Sequence, residues 1–224
     1  MIAPTDEFIL QDSIRKTLSR ELRAKYSKND IKLIFSDFFR KRTVRLVNPE
    51  VRSLIRKLAQ RDIPVTALTA WWTGHFGTIP KMEELRLQGL AEVNISFMDI
   101  SPFKEDCSFP DLKADDGVPM ITNGIILTAL VDKGIVLKAA LNKANFKPNK
   151  IIFIDDNLSY VKSVEKICEE LNIEFIGIHY TEASFIPLPQ LDESKELLRF
   201  EVLEQEHIWL LDVELEERLR LKDK

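Results

Sequence analysis

Glycine is scarce in this chain, 7 in 224 residues with 10 prolines, which argues against long flexible or low-complexity tracts. Cysteine is scarcer. Cys107 and Cys168 are too few and too far apart for a disulfide framework or a zinc site. Cys168 falls on the apolar side of a predicted helix, where a reduced core thiol is the ordinary reading. No apolar run approaches the ~20 residues that cross a bilayer. The opening MIAPTDEFILQD has neither a basic start nor a long apolar stretch, so no secretory signal is expected and a reducing cytoplasm is the default compartment. A dominant charge is also missing: 32 basic against 36 acidic residues leave a net charge of −4. The basic runs Arg40-Lys41-Arg42 and Arg218 to Lys224 read as solvated helix ends, and no nucleic-acid partner is expected.

What is present is ordinary for a globular protein: 45% hydrophobic and 30% charged residues. The length suits one α/β domain with an insertion, or a domain with a small cap. Residues 1–45 read as a helical N-terminal or cap segment, 46–182 as an α/β core with an insertion at about 90–130, and 183–224 as a helical tail. Glu7 to Lys25 carries apolar residues near helical spacing, and Asn29-Asp30 can cap a second helix through about Phe39. A β-prone run, Thr43 to Val47, precedes Asn48-Pro49, which opens another helix.

The α/β signature lies further on. Ile63 to Thr69, Lys150 to Asp155 and Ile173 to Ile178 are near-continuous apolar runs, as expected of strands buried on both faces. A helix from Leu158 to Leu171 joins the last two, so strand, helix and strand make a βαβ unit with parallel strands. Val93 to Phe97 alternates like a strand, and Ser101 to Gly117 reads as an exposed loop. Val118 to Thr122 and Ile125 to Ala129 flank Asn123-Gly124, a strong hairpin signal. Pro187 and Pro189 mark a connection into the C-terminal helical stretch.

Three features bear on chemistry. The run Ile151 to Ile154 ends in Asp155-Asp156-Asn157, placing paired carboxylates at a strand's C-terminal end, where open parallel sheets bind ligands. Adjacent carboxylates repel and persist beside a cation, and Mg²⁺ takes oxygen ligands and bridges to phosphate. The plainer alternative is that the trio caps the following helix. Thr69 ends its strand, where a hydroxyl can hydrogen-bond a phosphoryl oxygen or simply terminate the strand. Lys133, followed by Gly134, opens a helix to Ala144, a place where lysine is normally a solvated charge.

In this order the three resemble the later motifs of the haloacid dehalogenase (HAD) superfamily: a strand ending in Thr, a Lys before a helix, and a strand ending in paired acids. The stretch LTALVDKGIVLKAALNK through IIFIDDNLSYVKSVEKICEELNIEFIGIHY resembles one bacterial HAD-like family catalogued only as a domain of unknown function, over most of residues 45 to 180. The resemblance implies an α/β, Rossmannoid three-layer parallel sheet with helices on both faces and small helical or hairpin insertions. It implies that Thr69 holds a phosphoryl group and that Lys133 balances charge. Asp156 becomes the Mg²⁺ ligand, with Asp155 supporting Lys133 or the metal. The implied chemistry is phosphomonoester hydrolysis through an aspartyl-phosphate, on a phosphorylated small molecule or phosphoprotein.

The superfamily's first motif, a strand ending in Asp-x-Asp that carries the nucleophile, has no match before Thr69. The central first strand is therefore expected to be absent, leaving unpaired strand edges and an inactive or nearly inactive chain. Lys32 to Asp37 resembles a strand ending in Asp, but Phe39 stands at the second acidic position and the run also suits a helix. Trp71 and Trp72 follow Thr69 and could line a substrate pocket, although core packing is the plainer role; His75 is a weaker candidate base, and His179 and His207 read as structural or exposed. The competing function is a non-catalytic HAD-like domain that binds a ligand or partner protein. A flavodoxin- or receiver-like fold would place the acidic pair on the first strand, and here it comes late.

Overall fold

The computed structural model describes residues 2–4, 12–185 and 191–222. The predicted helix over Glu7 to Lys25 is seen from Asp12 onward as α1 (Asp12–Lys25), and its first residues, like Pro187 and Pro189, lie outside the described residues. The chain divides into two compact units. The first comprises Met1–Ala3, Arg45–Gly74 and Lys81–Ile186; the second comprises Pro4–Val44, His75–Pro80 and Pro187–Lys224.

The first unit carries the strands. β3 (Ala67–Thr69), β4 (Cys107–Ser108), β5 (Met120–Thr122) and β6 (Ile125–Leu127) form one sheet in the order β3-β6-β5-β4. β5 and β6 are an antiparallel hairpin around Asn123-Gly124, both at positive φ (48° and 73°), as a two-residue type I′ turn requires. Gly124 is also sterically required, because a Cβ there would lie 2.5 Å from the carbonyl oxygen of Phe97. β6 runs parallel to β3, with Thr69 opposite Leu127. β7 (Lys150–Asp155) and β8 (Glu174–His179) form a separate parallel pair joined by α7 (Leu158–Glu170), the βαβ unit read from sequence. β1 (Ile2–Pro4) pairs with β2 (Val44–Leu46).

The expected single parallel sheet is therefore corrected to a mixed α/β arrangement. The segment over 107–127 supplies three strands of its own, and β6 takes the edge of β3. The insertion extends the sheet. Among the described residues β7 pairs with β8 alone. Two strand expectations also change. The Ile63 run is a strand only over Ala67–Thr69. Val93 to Phe97 is not a strand; it leaves α5 (Met82–Glu92) through a left-handed Asn94 (φ 53°), with the Ile95 N–H bonded to Leu90 O. Its alternation arises because Val93, Ile95 and Phe97 are buried while the residues between face solvent. α4 (Val51–Ala59) follows Asn48-Pro49 as expected.

One apolar core joins both sheets of this unit. Ile121 and Ile126 from the first sheet, Val136, Leu137, Ala140 and Leu141 from α6 (Lys133–Lys143), and Val164 and Cys168 from α7 are all buried in it. Leu68, Ile151, Phe153 and Phe175 pack against it from the strands. Since Leu68 precedes Thr69 and Phe153 lies two residues before Asp155, the core anchors both strand ends.

The second unit is helical: α1, α2 (Lys28–Ile34), α3 (Ser36–Lys41), α8 (Glu193–Glu206) and α9 (Asp212–Lys222). Leu22, Ile31, Ile34, Phe38, Phe200, Leu203 and Trp209 form its core. Residues read from sequence as an N-terminal segment and a C-terminal tail thus share one core.

Candidate functional site

Lys133 is the first residue of α6. The side chain of the preceding Asp132 caps that helix by accepting from the Ile135 N–H at 3.1 Å. Asp132 also accepts from the Ser163 hydroxyl at 2.6 Å, and that hydroxyl accepts from the Gly134 N–H at 2.9 Å. This closes the start of α6 onto α7. A Cβ on Gly134 would lie 2.3 Å from the Ser163 carbonyl oxygen, so the close approach demands glycine here.

So fixed, the Lys133 ammonium meets Asp155, the last residue of β7, at 2.5 Å. Both side chains are nearly inaccessible, 6% and 8% exposed. The ammonium lies 4.6 Å from the centre of the Tyr160 ring and 5.7 Å from that of Phe153, within cation–π range. The second Asp155 oxygen accepts from the Asn157 N–H at 2.9 Å, and the Asn157 side chain caps α7 on the Ser159 N–H at 2.9 Å. Both carboxylate oxygens of Asp155 are thus engaged. Asp156 is exposed, and its carbonyl oxygen lies 3.0 Å from His179 Nε2. Burial, then the charges of Asp155, Asp156 and Asp132, push the Tyr160 hydroxyl above its ordinary value of 10.0. Tyr160 therefore registers its burial first and the site's carboxylates second.

Thr69 ends β3, half-buried, and its carbonyl accepts from the Trp71 N–H and the Thr128 N–H, each at 3.0 Å. Thr128 follows β6, so two threonines stand side by side at the C-terminal ends of a parallel pair. Lys133 and Asp155 are in direct contact, and Thr69 is joined by one backbone bond to the turn that leads into Lys133. Trp71 is buried, with its indole N–H donating to Met82 O at 2.8 Å and Arg86 stacked 4.0 Å from its ring; Trp72 packs edge-on against Trp71. Their indoles are packing elements of the first unit. His75 and His207 are exposed. Asp37 lies on α3 in the second unit, where it accepts from the Trp209 N–H at 2.9 Å and pairs with Lys41 at 3.5 Å. A helical carboxylate in that setting is a structural residue.

Thr128 was not singled out from sequence. It is fully buried, and its hydroxyl has no hydrogen-bond partner among the described residues. Ala129 and Leu130 follow at φ 48° and 63°. A left-handed non-glycine residue costs about 1–3 kcal/mol, and so does an unsatisfied buried hydroxyl. No residue in ThrAlaLeuVal carries a local signal of either feature. Among the described residues, no group of three or more His, Cys, Asp or Glu side chains could hold a metal ion.

Fold and site together define a mixed α/β protein with a buried lysine–aspartate pair at the C-terminal end of a parallel strand. The chain belongs to the family described as protein of unknown function (DUF2608), whose model matches residues 6–215. It is 29% identical over 127 residues to a Chlamydia muridarum protein named putative outer membrane protein, covering 54% of this chain and 49% of that one. A protein of the same name from Chlamydia trachomatis is 26% identical over 132 residues, 58% of this chain and 48% of its own. An uncharacterized Rickettsia felis protein is 25% identical over 179 residues, 78% and 59% of the two chains. The chain spans about half the length of the two chlamydial relatives. No solved structure matches it.

The membership corrects the sequence resemblance. The family is this one of unknown function, with uncharacterised chlamydial and rickettsial relatives, and not the haloacid dehalogenase superfamily. Each residue behind the resemblance also has an ordinary local role: Thr69 ends a strand, Lys133 opens a helix, and Asp155-Asp156-Asn157 leads from a strand into a helix cap.

Proposed function

We propose that the first unit binds a phosphoryl group at the C-terminal ends of β3, β6 and β7. The carrying observation is the Lys133–Asp155 pair, two charges less than a tenth exposed at the C-terminal end of β7. Buried ion pairs contribute little net stability, so a site role is the better account of one placed at a strand end. In this reading Lys133 neutralises the phosphoryl charge and Thr69 donates its hydroxyl to a phosphoryl oxygen. The substrate class is a phosphorylated small molecule or phosphoprotein.

Mg²⁺ suits the donor set in one mode only. Asp155 is already neutralised, which leaves Asp156 as the free carboxylate. Mg²⁺ commonly binds through one or two carboxylates together with substrate phosphate and waters. Asp156 would hold it jointly with the phosphoryl ligand, where the ion supplies charge neutralisation. Hydrolysis through an aspartyl-phosphate needs a nucleophilic aspartate; with Asp155 paired to Lys133 and Asp156 assigned to Mg²⁺, neither site aspartate takes that role. We infer phosphomonoester hydrolysis for a protein that supplies one, and phosphoryl binding without turnover for residues 1–224 alone.

A second reading, a non-catalytic module for a ligand or partner protein, draws on the same engagement of Asp155 and needs no metal. Calorimetric titration of inorganic phosphate into the 224-residue chain, with and without MgCl₂, separates the two. Mg²⁺-dependent binding that Lys133→Met abolishes supports the first reading; metal-independent binding supports the second; no binding in either condition sinks the phosphoryl site. We also propose a reducing cytoplasmic location, from two free thiols of which Cys168 is buried. The chlamydial relatives' name, putative outer membrane protein, points instead to an outer membrane, and fractionation of cells expressing the tagged protein decides between them.

A further inference from the structure

The turn between β6 and α6 concentrates unfavourable features. Ala129 and Leu130 are consecutive non-glycine residues in the left-handed region, at φ 48° and 63°. Leu130 is 43% exposed, so burial does little to offset the strain. Just before them the fully buried Thr128 hydroxyl finds no partner among the described residues. Both ends of the turn are fixed. Thr128 is tied to Thr69 through its N–H at 3.0 Å, and its own carbonyl accepts from the Val131 N–H at 2.8 Å. At the other end Asp132 caps α6, and Lys133 is held on Asp155 at 2.5 Å. Strain at such a place persists only where the surroundings over-determine it.

We propose that the Thr128–Asp132 turn is a strained latch, set while Lys133 is paired with Asp155 and released when a phosphoryl oxygen draws the ammonium away. The latch rests on the phosphoryl-binding reading for its ligand, though not for its mechanics. Once Lys133 leaves Asp155, the start of α6 can shift. Ala129 and Leu130 then return to ordinary backbone conformations, and the Thr128 hydroxyl gains a partner. Strain present in the free form and absent in the bound form favours binding by its full amount. Removing the strain by substitution should therefore stabilise the free protein and weaken its affinity. A purely structural turn would not link these two effects.

The test uses the 224-residue chain with Thr128→Val, which keeps shape and removes the orphan hydroxyl, and Leu130→Gly, which accepts the left-handed backbone. Each should raise Tm by about 2–4 °C and weaken binding of inorganic phosphate with Mg²⁺ by roughly threefold to tenfold. A raised Tm with unchanged affinity overturns the latch, as does a lowered Tm for Thr128→Val, which would mean that the hydroxyl already has a partner. A ligand-free arm repeats Thr128→Val in a Lys133→Met, Asp155→Asn background, where the site holds no buried ion pair and the latch has nothing to hold it. The Tm gain should vanish there; a full gain overturns the proposal. If wild type binds no phosphate and yet the gain vanishes, the latch stands and the phosphoryl reading fails.

Discussion

The Lys133 ammonium lies 2.5 Å from Asp155, 22 residues on, and each side chain is less than a tenth exposed. A pair so placed is far costlier to break than to remove. Lys133→Met or Asp155→Leu alone should destabilise the chain by about 3–5 kcal/mol, because each strands a buried charge. The double variant should recover most of that loss. Urea denaturation of the four proteins measures the coupling; additive losses would mean the two groups are solvated separately.

Asp156 should behave differently from its neighbour. It is exposed, so Asp156→Asn should change stability by no more than about 0.5 kcal/mol. If it holds Mg²⁺ beside the phosphoryl ligand, the same change should remove the Mg²⁺-dependence of phosphate binding. Calorimetric titration in both metal conditions checks this, and an unchanged Mg²⁺ response would take Asp156 out of the site.

Tyr160 supplies a pH readout. Burial first, and then Asp155, Asp156 and Asp132, raise its hydroxyl above 10.0. A raised value means that the folded state holds the proton more tightly than the unfolded chain does. The contribution to stability is therefore complete below about pH 10 and is lost as pH rises through the folded-state value. Absorbance titration of the phenolate should give late ionisation in the native chain and a partial return toward 10.0 in Asp156→Asn. Titration of Tyr160 at 10.0 in the native chain would mean that neither burial nor those carboxylates act on it.

How much of this was legible in sequence depended on how local each signal was. Asn123-Gly124 specifies its hairpin through its own backbone preferences, and the runs ending at Asp155 and Ile178 specify their strands because both are long and apolar. α5 carried little signal. Lys81 gives it no side-chain cap, and only Met82 and Leu90 along it are buried. Val93 to Phe97 misled because one-sided burial of an irregular segment mimics strand alternation. The site was half legible: Asp155, Lys133 and Thr69 stood out by position, whereas the packing of Trp71 against Arg86 and the orphan hydroxyl of Thr128 depend on residues distant in sequence. The HAD resemblance rested on the order of residue types, and order alone did not determine the family.

Asp37 tests the limits of the hydrolase reading. Its carboxylate satisfies the Trp209 N–H and pairs with Lys41 in the helical unit. Asp37→Ala should cost about 1–3 kcal/mol by leaving that buried N–H unpartnered, and it should not alter phosphate binding. The 224-residue chain should release no product from an aryl phosphate with Mg²⁺. Robust turnover that disappears in Asp37→Asn would make Asp37 the nucleophile and overturn its assignment as structural.

The last expectation concerns the second face of β7 and β8. One face, with Ile151, Phe153 and Phe175, packs on the core. The other brings Ile152 opposite Ile176 and Ile154 opposite Ile178, and three of these four are exposed: Ile152 by 59%, Ile176 by 40% and Ile178 by 41%. Parallel strands are normally covered on both faces, and a two-stranded sheet is marginal without further cover. Open strand edges bearing apolar side chains are ready templates for other chains. The isolated 224-residue chain should therefore self-associate as its concentration rises. Ile152→Thr keeps a β-branched residue in the strand while making its exposed side chain polar. It should shift the sedimentation profile toward monomer and change folding stability by only about 0.5 kcal/mol. A wild-type chain that remains monomeric across the same concentrations would show that this face is not adhesive, and that the βαβ unit is stable with three exposed isoleucines on it.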